Sequence, residues 1–301
     1  MKRKGLIIGI AIVAVIFAAG VFFHCEKHRT SRPPQVSNGK LETFKGFHHN
    51  RTISVWLPDG YTTGEPCDVL YMHDGQMLFD STTTWNHQEW QVDEILGRLE
   101  ADKTIPRTIV VAIDNTPDRL KDYFPDKTCR YTEEADQDWP KGDSYLRFIV
   151  EEVKPFIDTR YQPLTDREHT FIAGSSMGGL ISLYALCEYP EVFGGAACLS
   201  SHLSMAYLDV CKDSDAMAEG FLNYVSDNMP DKETTRIYMD YGLDGYDAAY
   251  GPYQQRMDSL FRAKGWDEDH YRSLSFEGQD HRESFWAQRL PGALTFLVAL
   301  P

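Results

Sequence analysis

Two hydrophobic patterns alternate along most of the chain. Short segments such as Asp68–His73 (DVLYMH) and Thr108–Ile113 (TIVVAI) are apolar throughout their middle, which is typical of strands buried on both faces. Longer segments such as residues 92–100 (VDEILGRLE) place apolar residues at the spacing of an amphipathic helix. Because strands and helices follow one another in turn, the pattern predicts an α/β fold with a mainly parallel sheet and helices on both faces.

The first two predicted strands differ from the others. They lie close together in the chain, and Pro58-Asp59-Gly60 ends the second with a strong turn signal, so we expect an N-terminal antiparallel hairpin. The expected strands are residues 41–46, 52–57, 68–73, 108–113, 170–173, 193–199, 236–241 and 270–276. The expected helices are residues 92–100, 144–157, 177–186, 216–225, 253–264 and a closing helix from residue 282.

The N-terminus has a different composition. Three basic residues at positions 2–4 precede residues 5–23, which are apolar throughout and long enough to cross a bilayer as a helix. We predict that residues 1–27 form a membrane anchor or signal peptide, residues 28–40 a linker and residues 41–301 one domain. The basic end stays in the cytoplasm, so the domain is expected outside, in the periplasm or the extracellular space. Cleavage at Ala18-Ala19-Gly20 would instead give a secreted protein.

Composition and charge narrow the class of protein. The chain has 301 residues, of which 42% are hydrophobic, enough to bury the core of one domain after the N-terminal segment. A formal net charge of −15 argues against nucleic acid as a partner, because phosphate binding needs a basic face. Apart from His48-His49, no cysteines or histidines have zinc-site spacing, so we expect no metal and no cofactor. Export would permit disulfides among Cys67, Cys129 and Cys211, which the sequence does not pair.

A cluster of small residues separates a strand from a helix in TFIAGSSMGGLISLYAL, residues 170–186. Within it Gly174, Ser176 and Gly178 fit G-x-S-x-G, in which a sharp strand-to-helix turn exposes one serine hydroxyl above a sheet. The pattern also occurs as an ordinary structural turn, but the flanking strand and helix favour a nucleophile elbow. A serine nucleophile needs a base, a residue that orients the base, and donors for an oxyanion.

The base and the acid of such a site are expected at the carboxyl ends of later strands. His281 follows the last predicted strand, and the chain order favours a catalytic base over a solvated loop histidine. Two loop aspartates, Asp244 and Asp247, follow the penultimate strand in MDYGLDGYDAAY, and spacing alone does not choose between them. His73 and His202 also follow strands and are expected to lie near the site.

Two backbone amides are expected to bind the oxyanion. One belongs to Met177, directly after the elbow serine, and the other to Gln76 in the loop Asp74-Gly75-Gln76 that follows an earlier strand. Glycine in this loop permits a tight turn that directs the Gln76 amide towards the site.

Four segments together resemble the Putative esterase family of α/β-hydrolases: VLYMHDGQMLFD, GSSMGG, DYGLDGYD and FEGQDHRESFWAQRL. The family includes feruloyl and acetyl-xylan esterases, siderophore ester hydrolases, S-formylglutathione hydrolase and mycolyltransferases. The resemblance spans residues 41–300 and implies an α/β-hydrolase fold for the domain. It also implies that Ser176 is the nucleophile, His281 the base, and Met177 and Gln76 the oxyanion donors.

The same resemblance distinguishes between the two candidate aspartates. Bacterial relatives carry an Asp-Ala-x-Tyr segment that opens a helix after the penultimate strand, and Asp247-Ala248-Ala249-Tyr250 is similar to it. The resemblance therefore implies Asp247 rather than Asp244, although the residues between Gly242 and Asp247 depart from the family pattern.

The resemblance also implies a reaction and a set of pocket residues. We expect a serine esterase that acts through an acyl-enzyme on acyl groups carried by carbohydrates, of the feruloyl or acetyl type. The alternatives are a siderophore ester hydrolase and a non-catalytic hydrolase-fold protein that binds glycans or another protein. Relatives shape the acyl or sugar pocket with loop residues that correspond here to Trp85, Asn115, Arg119 and Tyr123, and ordinary surface packing also explains such residues.

Overall fold

The computed structural model describes residues 32–132, 139–205 and 213–298. Eight strands form one sheet in the order β1-β2-β4-β3-β5-β6-β7-β8. The strands are β1 (Lys40–Phe47), β2 (Arg51–Leu57), β3 (Asp68–His73), β4 (Thr108–Ile113), β5 (Thr170–Ser175), β6 (Gly195–Leu199), β7 (Arg236–Gly242) and β8 (Tyr271–Phe276). All eight lie where the hydrophobic pattern predicts them, and no strand end shifts by more than two residues.

The strand directions confirm the predicted sheet. β1 pairs antiparallel with β2, and β2 pairs antiparallel with β4, so the first two strands form the expected N-terminal hairpin. Every other pair is parallel. In parallel strands the carboxyl ends meet at one edge of the sheet, so the loops after β3, β5, β6, β7 and β8 converge there.

The helices cover both faces of the sheet, as the alternation predicts. They are α1 (Val92–Ala101), α2 (Arg119–Asp122), α3 (Gly142–Phe148), α4 (Lys154–Tyr161), α5 (Met177–Glu188), α6 (Ser214–Asp227), α7 (Gly251–Ala263) and α8 (Glu283–Val298). A π-helical turn, Ile149–Val153, joins α3 to α4, so the single helix expected at residues 144–157 is longer and contains a local irregularity. The short α2 has no hydrophobic periodicity and was not predicted.

Two hydrophobic cores lie on opposite faces of the sheet. Helices α3 to α7 bury one of them, and α1 and α8 bury the other. The alternation within β5 connects both cores, because Ile172 faces the first while Phe171 and Ala173 face the second. Burial on both faces explains why β5 is apolar at nearly every position.

The last part of the predicted linker is bound to the domain rather than extended away from it. The Gln35 amide donates to Asp80 at 2.8 Å, and the Ser37 amide donates to Asp93 at 2.6 Å. The Gly39 amide then donates to a side-chain oxygen of Asp59 at 2.9 Å, just before β1 begins.

The predicted anchor or signal peptide, residues 1–27, lies outside the described residues. Within the three described ranges, none of the helices is long and apolar enough to span a bilayer. Cys67 and Cys129 are buried, Cys67 has a free thiol, and Cys211 lies outside the described ranges.

Candidate active site

Ser176 occupies the turn between β5 and α5. Its backbone has φ 58° and ψ −121°, a conformation that is strained for a residue other than glycine. The Ser176 amide donates to the Leu199 carbonyl at 3.0 Å, which holds the turn against β6. A Cβ at Gly174 would lie 2.8 Å from the carbonyl carbon of Gly178, so glycine permits the helix to start this close to the strand. The sharp strand-to-helix turn expected from the sequence is present.

His281 is in contact with one of the two candidate aspartates. Its Nδ1 atom lies 2.6 Å from Oδ1 of Asp247, which is fully buried, whereas Asp244 is exposed. Burial raises the pKa of Asp247, but hydrogen bonds from His281, Ser200 and the Gly242 amide outweigh that effect and hold this pKa below its ordinary value. Asp247 is therefore ionised at neutral pH and can orient the imidazole.

Three aromatic rings surround the imidazole of His281. Ring centroids lie 5.1 Å away for Tyr246, 5.6 Å for Tyr250 and 4.9 Å for Trp286, all with edge-to-face geometry. Tyr250 and Trp286 are buried, while Tyr246 is 50% exposed. The rings hold the imidazole in place and leave it partly open to solvent, with its side chain 18% exposed.

Backbone contacts place Ser176 at the same edge of the sheet as His281. The His202 amide donates to the Ser176 carbonyl at 3.1 Å, and Nδ1 of His202 lies 2.8 Å from the Tyr250 hydroxyl, whose ring packs on His281. Both Ser176 and His281 lie in the described ranges, and no hydrogen bond joins their side chains. The serine-to-histidine contact of the triad stays a prediction.

An ion pair organises the loop after β3. Asp74 has a left-handed backbone with φ 57° and accepts two hydrogen bonds from Arg119, at 2.7 and 2.8 Å. Asn115 donates to the same carboxylate at 2.6 Å, and the Tyr123 hydroxyl lies 3.3 Å from it. Burial raises the pKa of Asp74, but Arg119 and Asn115 more than compensate, so this pKa lies below its ordinary value.

Further contacts hold the predicted oxyanion loop, Asp74-Gly75-Gln76, in place. The Asn115 amide donates to Oε1 of Gln76 at 3.1 Å, which ties this side chain to the loop after β4. A Cβ at Gly75 would lie 2.7 Å from the carbonyl carbon of Ala112, so glycine allows the loop to rest directly on β4. Met177, the other predicted donor, is fully buried at the start of α5.

The four residues predicted to bind substrate fall into two groups. Asn115, Arg119 and Tyr123 all contact Asp74, and Tyr123 has no exposed surface, so their immediate effect is on the position of the loop. Trp85 is 36% exposed beside Asn86, whose side chain donates to Glu283 at 2.8 Å. Direct contact between these residues and a substrate stays a prediction.

His73, which is the last residue of β3, is unsuited to act as the base. Its Nδ1 atom lies 2.7 Å from the Tyr145 hydroxyl, and burial lowers the pKa of His73 to about 3. The imidazole is therefore neutral, and it packs under the elbow beside Gly174. Among the residues that the structure describes, no group of three or more His, Cys, Asp or Glu side chains could hold a metal ion.

A protein-family model matches most of the chain. The model described as Putative esterase matches residues 45–297. The chain belongs to this family. Among curated proteins, the uncharacterized protein YjcH of Bacillus subtilis is 25% identical to it over 85% of this chain and 97% of that protein.

Two further relatives of the esterase family have named substrates. The ferri-bacillibactin esterase BesA of Bacillus subtilis is 27% identical over 54% of this chain and 58% of its own length. The siderophore enterobactin esterase of Emericella nidulans is 29% identical over 46% of this chain and 47% of its own length. The chain thus spans about half of each of these two proteins.

Solved structures of esterases have the same fold. A ferulic acid esterase superposes with a TM-score of 0.63 at 20% identity, covering 88% of this chain and 99% of that one. The BES protein of Bacillus cereus superposes with a TM-score of 0.65 at 17% identity, covering 90% of this chain and 99% of that one. At these identities the likeness concerns the fold, and it confirms the predicted α/β-hydrolase architecture.

Sequence reasoning missed several residues that contact the two partners of the candidate triad. Ser200 and Arg289 lie behind Asp247, and Tyr246 and Trp286 pack on His281. A partial signal exists in the closing helix, because Trp286 and Arg289 are three residues apart and therefore share the helix face that points to the site. Nothing in the local sequence marks Ser200.

Proposed function

We propose that this esterase-family chain is a serine carboxylesterase whose triad is Ser176, His281 and Asp247. The observation that supports it best is the 2.6 Å contact between His281 and the buried, ionised Asp247, at the edge of the sheet where the elbow serine lies. A carboxylate that holds the imidazole in one orientation is what a histidine base requires.

The proposed reaction has two halves. Ser176 Oγ attacks the ester carbonyl while Nε2 of His281 accepts its proton, and the amides of Met177 and Gln76 stabilise the oxyanion. The alcohol then leaves with the proton from His281, which gives the acyl-enzyme. Water, deprotonated by His281, attacks the acyl carbon and restores Ser176 with release of the carboxylic acid.

For the substrate, we propose acyl groups carried on carbohydrates, of the feruloyl or acetyl type. The exposed ring of Tyr246, which packs on His281, suits an aromatic or sugar ring, and Trp85 is a second exposed ring, beside Asn86, which bonds Glu283. The second candidate is a siderophore ester, which the two siderophore-esterase relatives favour. A ferric catecholate complex is anionic, and the net charge of −15 disfavours its approach, whereas a neutral carbohydrate ester meets no such repulsion.

We also propose that the esterase acts outside the cytoplasm. The basic residues 2–4 followed by the apolar residues 5–23 support an N-terminal anchor with the domain on the outer side. Fractionation and N-terminal sequencing test the proposal. An intact Met1 in the membrane pellet supports the anchor, and a soluble protein that begins near Val21 supports secretion after cleavage.

Covalent labelling tests the proposed chemistry directly. A fluorophosphonate probe is expected to label the wild-type protein rapidly at Ser176, and Ser176→Ala is expected to abolish both labelling and p-nitrophenyl acetate hydrolysis without lowering the melting temperature. Binding to glycans with no labelling would instead favour a non-catalytic protein of the same fold. A panel of feruloyl, acetyl and catecholate esters then ranks the two substrate classes.

A further inference from the structure

A buried serine lies behind the acid of the proposed triad. Ser200, directly after β6, is fully buried, and its Oγ lies 2.5 Å from Oδ2 of Asp247. The same oxygen accepts a hydrogen bond from Nε1 of Trp286 at 3.0 Å and one from Nη2 of Arg289 at 2.8 Å. A hydroxyl has two acceptor positions and one proton, so these two donors direct the Ser200 proton to Asp247.

The third partner of Ser200 is a buried cation. The side chain of Arg289 has no exposed surface, and its guanidinium lies 3.6 Å from Asp240 and 3.8 Å from Asp247. Both separations exceed ordinary hydrogen-bond lengths. Ser200 therefore provides the hydrogen-bonded connection from the charge of Arg289 to the carboxylate that contacts His281.

The backbone of Ser200 gives a second, independent indication. Its φ of 43° lies in the left-handed region, which glycine adopts without strain and serine does not. The Ser200 amide donates to the Asp240 carbonyl at 2.8 Å, which fixes this conformation. A strained residue whose side chain bonds three partners at a catalytic acid points to a use for that side chain.

We propose that Ser200 is a positioning residue, which connects Arg289 to Asp247 and holds that carboxylate in the orientation that His281 requires. The proposal rests on the proposed function, because it assigns Asp247 as the acid of a working triad. A merely structural serine would satisfy Trp286 and Arg289 and contribute to stability alone. A positioning residue must also change turnover and the pH dependence of the base.

Two substitutions remove the hydroxyl, and a neighbouring residue supplies the control. Ser200→Gly deletes it where the backbone favours glycine, and Ser200→Ala deletes it with little change in shape. Ser201 is buried next to it, and its hydroxyl bonds no other residue in the described ranges, so Ser201→Ala is a matched control. Melting temperature, kcat, KM and the pH profile of kcat/KM are measured on the full chain with p-nitrophenyl acetate.

We expect both Ser200 variants to lower kcat by about tenfold to a hundredfold, the range that a lost hydrogen bond to a charged group implies, with KM unchanged. Both variants also remove a hydrogen-bond donor from the Asp247 carboxylate, so their pH profiles of kcat/KM should differ from that of Ser201→Ala. The ionisable groups in and around this network are Tyr238, Asp240, Asp247, Arg289, His281, Tyr246, Tyr250, His202, Asp280 and Glu283.

The outcomes separate the two proposals. Failure of the wild-type protein to react with a fluorophosphonate overturns the proposed function itself. A labelled, active wild type whose folded Ser200→Gly variant equals Ser201→Ala in kcat and in pH profile overturns the role of Ser200 alone. If Ser200→Ala does not fold, the comparison rests on Ser200→Gly, whose backbone is relieved of strain.

Discussion

Nδ1 of His281 lies 2.6 Å from Oδ1 of Asp247, although the two residues are 34 positions apart in the chain. They come from the loops after β8 and β7, which are neighbouring parallel strands. Adjacent strands bring these loops together at one edge of the sheet, and the full burial of Asp247 makes the contact a fixed part of the fold rather than a surface pair.

The contact predicts very different effects for the two neighbouring aspartates. Asp247→Asn is expected to lower kcat by about 10⁴, because the amide favours the wrong histidine tautomer. Asp244 is exposed, and its hydrogen bonds use its backbone amide and carbonyl, so Asp244→Asn is the matched control and should keep nearly full turnover. Steady-state kinetics on an acetyl ester decide the matter, and the reverse ranking would assign the acid to Asp244.

Local sequence predicted the fold and the elbow well for a physical reason. Each buried strand of the sheet is a short apolar run, and the turn at Ser176 needs small residues within a few positions of the serine. Each of these patterns lies within one short segment of the chain, so the strand or the turn can be predicted without knowing which residues pack against it.

The residues that contact Asp247 could not be predicted from local sequence. Ser200 follows an ordinary strand, and its role depends on Trp286 and Arg289, which lie 86 and 89 positions further along the chain. Contacts between residues that are distant in the chain were also missed for the predicted pocket residues. The family resemblance implies that Arg119 contacts substrate, which stays a prediction, whereas its bidentate pair with Asp74 could not be inferred from spacing.

That ion pair leads to a second prediction, for the loop that carries Gln76. Arg119→Lys keeps the charge but cannot make the two-point contact with Asp74, so the loop should lose its fixed position. We expect kcat/KM to fall by about tenfold to a hundredfold, the effect of losing one charged hydrogen bond. Arg98→Lys changes an exposed arginine on α1 and is the control. Equal kcat/KM values for the two variants would contradict the expectation.

Buried His73 predicts a pH dependence of stability. Burial lowers its pKa from 6.5 to about 3, so between these values the unfolded chain binds a proton that the folded chain does not. The contribution to the free energy of unfolding is complete above pH 6.5 and is lost as the pH falls towards 3, by at most about 1.4 kcal/mol per pH unit. His73→Asn, measured by urea unfolding at about pH 7 and about pH 4.5, should lose less stability on acidification than the wild type.

The control for this measurement is His87→Asn, since His87 is exposed and has the left-handed backbone that asparagine tolerates. It should lose as much stability on acidification as the wild type does. If His73→Asn loses the same amount as His87→Asn, burial of His73 is not the cause of the acid sensitivity.

The half-exposed ring of Tyr246 predicts how the site selects its substrate. The ring lies 5.1 Å from the His281 ring and 50% of the residue remains accessible, so a planar acyl group bound at the serine would pack on it. Tyr246→Ala should raise KM for methyl ferulate by about threefold to tenfold, which corresponds to the loss of one aromatic contact. The KM for a short aliphatic ester should change little, and so should kcat for both esters.

Tyr131→Ala removes another exposed tyrosine, one that hydrogen-bonds Asp227 on α6 and packs on Tyr224, away from His281. It should leave the KM of both esters unchanged, which separates a local effect of Tyr246 from a general effect of losing an exposed ring. A Tyr246→Ala variant with unaltered preference between the two esters would show that the aromatic acyl group binds elsewhere. In that case Trp85, the exposed ring on the loop that Asn86 ties to Glu283, becomes the next residue to substitute.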